Sequence, residues 1–450
     1  MTFHDFSALA REVERIPCAR PLGRICRIDG PVVQITGFGE VAALGDTVLL
    51  PDHGEAGRSG EVVALSQTAA SVYVGRASAG LSLGLPARLG PPPSLRPADN
   101  WLGRVIDPDG HPLDGRPLLP GPLVHSLVAR PPAATTRRAL GARLATSLTA
   151  FDTFLPLVRG QRIGLFAGSG VGKSSLLSSL ARGVQTDVTV IALVGERGRE
   201  VRAFIENGLG PEGLARSVVV VATSDQPALT RRRAVLAALC VAEHFRDSGR
   251  QVLLLVDSLT RTAEAHREIA CSAGEPATLG DYPASLVELL SSISERAGTG
   301  EGSSGDITAL FAVLVAGSDM EGTVADTLRG LLDGHTVLAR EIAERGRFPA
   351  IDLLRSVSRS LPEAANAAEN ALLSRARMLL ATYEGAEVMV RAGLYEAGSD
   401  PVVDEAIHVF PALEAFLADA GSPGVEESFA KLASLLSEPA KVQGTAPQAS

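Results

Sequence analysis

Nine consecutive residues constrain this chain more than any other stretch: Ala167-Gly168-Ser169-Gly170-Val171-Gly172-Lys173-Ser174-Ser175. They follow an apolar run of strand length at 163–166 and precede a helical pattern at 176–183. A strand, a glycine-rich loop and a helix in that order form an anion cradle, because backbone N–H groups and the positive end of the helix dipole face one point. Gly168, Ser169, Gly170, Val171, Gly172 and Ser175 shape that cradle for a nucleotide. Lys173 is placed to reach the β- and γ-phosphates, and the Ser174 hydroxyl to ligand Mg²⁺. The strict pattern has glycine where this chain has Ala167; every other position is kept.

The loop sits in a region, about 135 to 365, where strands and helices alternate. Continuous apolar runs at 162–166, 188–193, 217–222, 252–256 and 309–315 are separated by helical material such as 232–245 and 286–296. Strands that are apolar throughout are buried on both faces, which implies a parallel sheet covered by helices. Upstream, short runs at 23–28, 31–35, 46–50, 61–65 and 71–74, punctuated by glycine, predict a small antiparallel β-barrel. Gly90-Pro91-Pro92-Pro93 ends it, and 101–125 reads as a turn-rich connection. The Ala-, Leu- and Glu-rich stretch 366–437 predicts a helical bundle, followed by a frayed tail at 438–450. The architecture is multidomain α/β: barrel 21–95, phosphate-loop domain 96–365, helical domain 366–437. In residues 1–20, Phe6, Leu9, Val13 and Ile16 fall on one helical face, which either caps its own domain or docks a partner.

Composition narrows the partners. A net charge of −9 gives no global positive field for nucleic acid or anionic lipid. No run approaches the ~18 apolar residues of a membrane span, and Asp5, Arg11, Glu12, Glu14 and Arg15 interrupt any secretory signal core. Cys18, Cys26, Cys240 and Cys271 are too widely spaced for a C-x-x-C pair. They are expected to be reduced, mostly buried thiols of a cytosolic protein.

A cradle binds nucleotide; hydrolysis needs more. Residues 251–258 form an apolar strand ending in Asp257, a position suited to orienting Mg²⁺, although an Asp there also commonly caps the next helix. Val194-Gly195-Glu196-Arg197-Gly198-Arg199-Glu200 ends the strand after the loop's helix, and Glu196 is the candidate to orient the attacking water.

Together the loop, the Gly195–Glu200 segment and Asp257-Ser258-Leu259-Thr260-Arg261 resemble the catalytic subunits of rotary ATP synthases and their relatives. Val324-Ala325-Asp326-Thr327-Leu328-Arg329-Gly330-Leu331-Leu332-Asp333-Gly334-His335 looks like the branch of flagellar and type III secretion export ATPases, as do the segments 348–359 and 398–407. The resemblance covers about residues 20–435. It implies a barrel, a RecA-like ATPase core and a C-terminal helical domain in a homo-hexamer, with ATP and Mg²⁺ at subunit interfaces. By the same resemblance Arg197 joins Lys173, Ser174, Glu196 and Asp257 in the phosphate and metal shell. Arg359 matches an arginine finger entering a neighbour's site, and Phe348 falls where the family has an aromatic against adenine.

The implied partners are a stator or regulator at the N-terminal helix, a central-stalk protein, exported proteins and their chaperones, and the membrane export gate on its cytoplasmic side. Thr146-Ser147-Leu148-Thr149-Ala150-Phe151-Asp152 and Leu279-Gly280-Asp281-Tyr282-Pro283-Ala284 depart from the family's usual segments. The segment 324–335 favours an export ATPase over the catalytic subunit of a proton-translocating rotary ATPase. Glu196 argues against a non-catalytic ring subunit. The negative charge and the lack of an aromatic stacking motif in the barrel argue against an RNA translocase. Flagellum and injectisome stay open.

Overall fold

The computed structural model describes residues 20–51, 58–315, 320–422 and 424–437. The expected N-terminal helix with Phe6, Leu9, Val13 and Ile16, together with Cys18 and the tail 438–450, lies outside the described residues. The chain divides into two compact units: Met1–Ser94 with Gln226–Arg232 and Glu264–Leu286, and Leu95–Asp225 with Arg233–Ala263 and Val287–Ser450.

In the first unit, β1 (Leu22–Asp29), β2 (Val32–Thr36), β3 (Thr47–Leu50), β4 (Arg58–Leu65), β5 (Ala70–Tyr73) and β6 (Pro86–Leu89) form a closed barrel in the order β1-β2-β5-β4-β3-β6. Every neighbouring pair is antiparallel. Val33, Ile35, Val48, Val62, Val72 and Ala87 fill its interior. The closing strand β6 carries little sequence signal: it has four residues, begins at a proline and buries only Ala87 and Leu89.

The second unit is built on one large sheet. Its strands are β7 (Arg104–Ile106), β8 (Arg162–Ala167), β9 (Val188–Val194), β10 (Ser217–Ala222), β11 (Val252–Asp257), β12 (Asp306–Leu314), β13 (Gly334–Leu338) and β14 (Ile351–Ser358), in the order β14-β13-β8-β12-β11-β9-β10-β7. All these pairs are parallel except β13 with β14. Every residue of β9, β10 and β11 is buried, as continuous apolar runs require. The turn-rich connection at 101–125 is more than a linker, because Arg104–Ile106 adds the edge strand β7. Arg104 fixes it through a bidentate pair with Asp114, its Nε lying 2.7 Å from Oδ2. Three residues are too few to show a period.

The principal helices are α1 (Lys173–Gly183), α2 (Gly198–Ala203), α3 (Ala228–Asp247), α4 (Leu259–Ser272), α5 (Ser285–Arg296), α6 (Ala367–Arg391), α7 (Pro401–Ala418) and α8 (Val425–Ser437). Asn366 and Glu369 make a capping box on α6, and the Asp400 carboxylate caps α7. Leu373, Leu379, Leu413, Phe416 and Leu432 of the last three helices share one core with Leu165 and Ile351 of the sheet. The C-terminal helices therefore have no separate core. No described helix is long and apolar enough to cross a membrane. The cysteines correct the expectation of mostly buried thiols: Cys240 is buried, whereas Cys26 and Cys271 are exposed. Cys26 sits where the β1–β2 register shifts, between Ile25 and Arg27.

Candidate active site

β8 ends at Ala167, which pairs with Leu314 on one side and Leu338 on the other. The loop that follows takes left-handed φ at Gly170 (78°) and Gly172 (86°), conformations that only glycine enters without a Cβ penalty. Residue 167 is the last, fully buried residue of an extended strand, which is why alanine serves where the strict pattern has glycine. Lys173 opens α1, so its side chain projects from the mouth of the cradle.

Strands β8, β11 and β9 run in the same direction, and their C-terminal ends collect the remaining charges. In open α/β sheets this edge is where ligands bind. Lys173 Nζ donates to Asp257 Oδ1 and lies 3.6 Å from Glu196 Oε1. Gly195, at φ 71°, turns the chain sharply off β9 where a Cβ would come within 3.0 Å of the Arg261 side chain. Glu196 is thereby set against Lys173. Its carboxyl is pushed up to about 7, first by burial and then by the charge of Asp257, with Lys173 opposing both.

Asp257 does not cap the helix after it. The Ser258 hydroxyl takes that place, accepting from Arg261 N at 3.4 Å. Ser174, Ser175, Glu196 and Asp257 line an open cleft of about 420 Å³ that extends between α1 and a π-helical turn at Phe204–Leu209. A hydroxyl and a carboxylate in one cleft are hard oxygen donors, a set that suits Mg²⁺.

The other sequence candidates stand apart from this cluster. Arg197 is the exposed N-terminal flank of α2, with Nη1 3.7 Å from Glu200 Oε1. Phe348 is half exposed and abuts the phosphate loop; its Cδ1 lies 3.1 Å from where a Cβ on Gly172 would stand. Arg359 follows β14, its backbone N donating to Asp333 O at 3.0 Å and its Nη2 to Arg329 O at 3.2 Å.

Register separates these two. β14 pairs Ile351 with Leu338, whose partner in β8 is Ala167, and pairs Ser358 with Gly334 at the far edge of the sheet. Phe348 is thus at the phosphate-loop edge and Arg359 at the opposite one, with an eight-residue strand of roughly 25 Å between them. Glu200 is a further member of the site that the motif does not single out: it adds to the upward push on the Glu196 carboxyl. In the sequence it is one charge among five in residues 196–202, a segment that also reads as a solvated helix start.

Residues 147–358 match the nucleotide-binding domain of the ATP synthase alpha/beta family, and residues 365–434 the C-terminal domain of the T3SS EscN ATPase. The chain is 43% identical over 438 residues to the flagellum-specific ATP synthase of Caulobacter vibrioides, covering 95% of this chain and 99% of that protein. It belongs to the ATP synthase alpha/beta family, in the branch of flagellar and type 3 secretion ATPases. Within that branch it is 40% identical over 417 residues to the type 3 secretion system ATPase of Xanthomonas euvesicatoria, covering 91% of this chain and 92% of that protein. The structure of the assembled ATPase EscN in complex with its central stalk EscO, from enteropathogenic E. coli, superposes with a TM-score of 0.83 at 35% identity, over 92% of this chain and all of EscN. The cluster of Lys173, Glu196 and Asp257 is accordingly set in the nucleotide-binding domain of a P-loop ATPase.

Proposed function

We propose that this chain is the cytoplasmic ATPase of a flagellar protein-export apparatus, hydrolysing ATP at sites completed between neighbouring copies in a homo-hexameric ring. The observation that carries the reading is the meeting of Lys173 with both carboxylates at the end of the phosphate-loop strand. Without nucleotide, Asp257 neutralises the lysine. An incoming triphosphate competes for that ammonium and draws it onto the β- and γ-phosphates, leaving the Asp257 carboxylate for the Ser174 side of the cleft. Ser174 and Asp257 would hold Mg²⁺, which neutralises charge on the phosphates when bound.

Glu196 then orients a water for in-line attack and takes its proton. The water oxygen bonds to the γ-phosphorus as the bond to the β–γ bridging oxygen breaks and ADP leaves. A carboxyl poised near 7 is well matched to accepting a proton at neutral pH. The backbone of Gly168, Ser169, Gly170, Val171 and Gly172 with the Ser175 end of α1 cradles the phosphates. Phe348, against Gly172, stacks on adenine. Arg197 flanks the phosphate shell from the rim. Arg359, at the far edge of its own sheet, supplies positive charge to the γ-phosphate held by the next subunit.

The central stalk present with EscN supports a stalk partner for this ring as well. The other partners proposed are a regulator at residues 1–20, exported proteins with their chaperones, and the membrane export gate at the cytoplasmic face. Similarity to the Xanthomonas ATPase supports a second reading, service in an injectisome. A strain lacking the protein separates the two. Loss of swimming and of secreted filament proteins, restored by the wild-type chain but not by Lys173→Ala, is expected. Intact swimming with loss of other secreted proteins selects the injectisome, and an unchanged strain overturns both.

A further inference from the structure

The residue before the adenine-facing ring is a buried arginine. Arg347 is 8% exposed although it lies in a turn, between the helix Arg340–Glu344 and β14. Its backbone N donates to Ile342 O at 3.3 Å and its side-chain Nη2 to Ile351 O at 2.6 Å, so the residue is tied by its main chain to the helix before the turn and by its side chain to the strand after Phe348 and Pro349. The guanidinium also reaches α7, where Nε lies 3.3 Å from Glu414 Oε2. Neither Nε nor Nη1 has a hydrogen-bond partner among the described residues, so Glu414 acts on the guanidinium by charge. Burial, and then Arg345, disfavour a charge here, and the carboxylates of Glu414 first and Asp352 second oppose them. Glu414 is fixed in turn, because Leu413, Phe416 and Leu417 beside it belong to the core that contains Ile351 and Leu353.

A small cavity separates these charges from Asp352, Tyr383 and Glu384, and Tyr383 stacks on Phe410 of α7 at 3.6 Å. The C-terminal helices also reach this region through α6, where Glu387 pairs with Arg345 at 3.4 Å and Arg377 Nη1 donates to Leu353 O at 2.7 Å, and the Arg347–Glu414 pair is the link from α7 to the residue next to Phe348. Any shift of α7 along its axis acts on the guanidinium, and through its hydrogen bond to Ile351 O on the chain that follows Phe348.

We infer that Arg347 is a positioning residue: held by Glu414 of α7, it sets where Phe348 stands against the nucleotide base and so ties base affinity to the C-terminal helices. This rests on the reading of Phe348 as the adenine platform. An arginine that only stabilised the fold would weaken all ligands alike. One that positions the ring weakens only ligands that carry a base, since the phosphate loop is held by other contacts.

The test compares the KM for ATP with the inhibition constant of inorganic tripolyphosphate, in the full chain, for Glu414→Ala, Arg347→Lys and Phe348→Ala. Glu414→Ala replaces a partly exposed residue by a good helix former and keeps the experiment informative if changes at Arg347 impair folding. Expected for Glu414→Ala is a rise in KM of roughly 5-fold or more, the lower end of a lost base–aromatic stack, with tripolyphosphate inhibition unchanged. Arg347→Lys, which retains a charge and a donor, should rise less. If Phe348→Ala shows this base-selective loss while Glu414→Ala leaves both constants alone or moves them together, the positioning role is overturned and the adenine platform stands. If Phe348→Ala itself shows no base-selective loss, the platform fails and the positioning role with it.

Discussion

The two edges of the large sheet carry charge in opposite ways. At the edge where β8, β9 and β11 finish, the Lys173, Glu196 and Asp257 side chains are 11%, 21% and 4% exposed and face one another. At the other edge Arg359 is exposed and its guanidinium rests on the Arg329 carbonyl. The first edge gathers one cation and two carboxylates in little water, where each interaction is strong. The second presents a cation with no carboxylate among its hydrogen-bond acceptors in the described residues. On the proposed function these are two halves of one site, and they lie too far apart within a chain to meet.

The first edge should fail most completely. Lys173→Ala leaves Glu196 and Asp257 as two carboxylates without their cation and removes the charge that meets the phosphates. Steady-state ATP turnover in the purified variant is expected to vanish. Turnover close to wild type would remove the phosphate-loop assignment. Arg359→Ala should bind ATP yet turn it over ~10³-fold or more slowly, the scale of a finger supplied in trans. Mixing it with Lys173→Ala, each inactive alone, tests the two-edge comparison directly. In a mixed ring an intact Lys173 site meets an intact Arg359, and part of the activity should return. No recovery in mixed hexamers confirmed by mass would make Arg359 a residue of its own subunit.

Much of the first edge was legible in the sequence because it depends on local chemistry. Glycines with positive φ, a lysine opening a helix and carboxylates ending buried strands are each readable within a few residues, as at Gly172, Lys173 and Asp257. The second edge was legible only through the family resemblance. β13 and β14 escape detection because His335, Asp352 and Arg355 interrupt their apolar pattern, and it is their register that carries Arg359 away from Lys173. The link from Arg347 to Glu414 spans a turn, a strand and two helices, and no spacing rule reaches across it.

Glu196→Gln sharpens the contrast by changing one group at the first edge without changing its shape. Nucleotide affinity should hold while turnover falls by the ~10²–10⁴ of a lost acid–base group. Loss of affinity with turnover intact would make Glu196 structural. In the wild-type chain, kcat/KM for ATP should fall as pH drops through about 7, because the nucleotide-free Glu196 takes up its proton there.

The smallest expected effect is on stability, and its sign follows from the same carboxyl. Glu196 titrates near 7 in the folded chain and near 4.5 when unfolded, so between those values the folded state holds a proton that the unfolded state releases. Stability from this group is fully present below the lower value and is lost as pH rises through the upper one. Glu196→Gln has no such proton to lose. Relative to wild type, the nucleotide-free variant should therefore gain melting temperature as pH is raised from about 5 to about 8, at roughly 1–2 °C per kcal/mol for a chain of this length. Because Glu196 retains some access to solvent and Lys173 opposes the shift, the gain should be about 1–2 °C at most, of order the value for 1 kcal/mol. Melting curves of both proteins across that range measure it. A difference in melting temperature that stays constant with pH would mean that Glu196 is ionised throughout, and burial would no longer account for its role as a base at neutral pH.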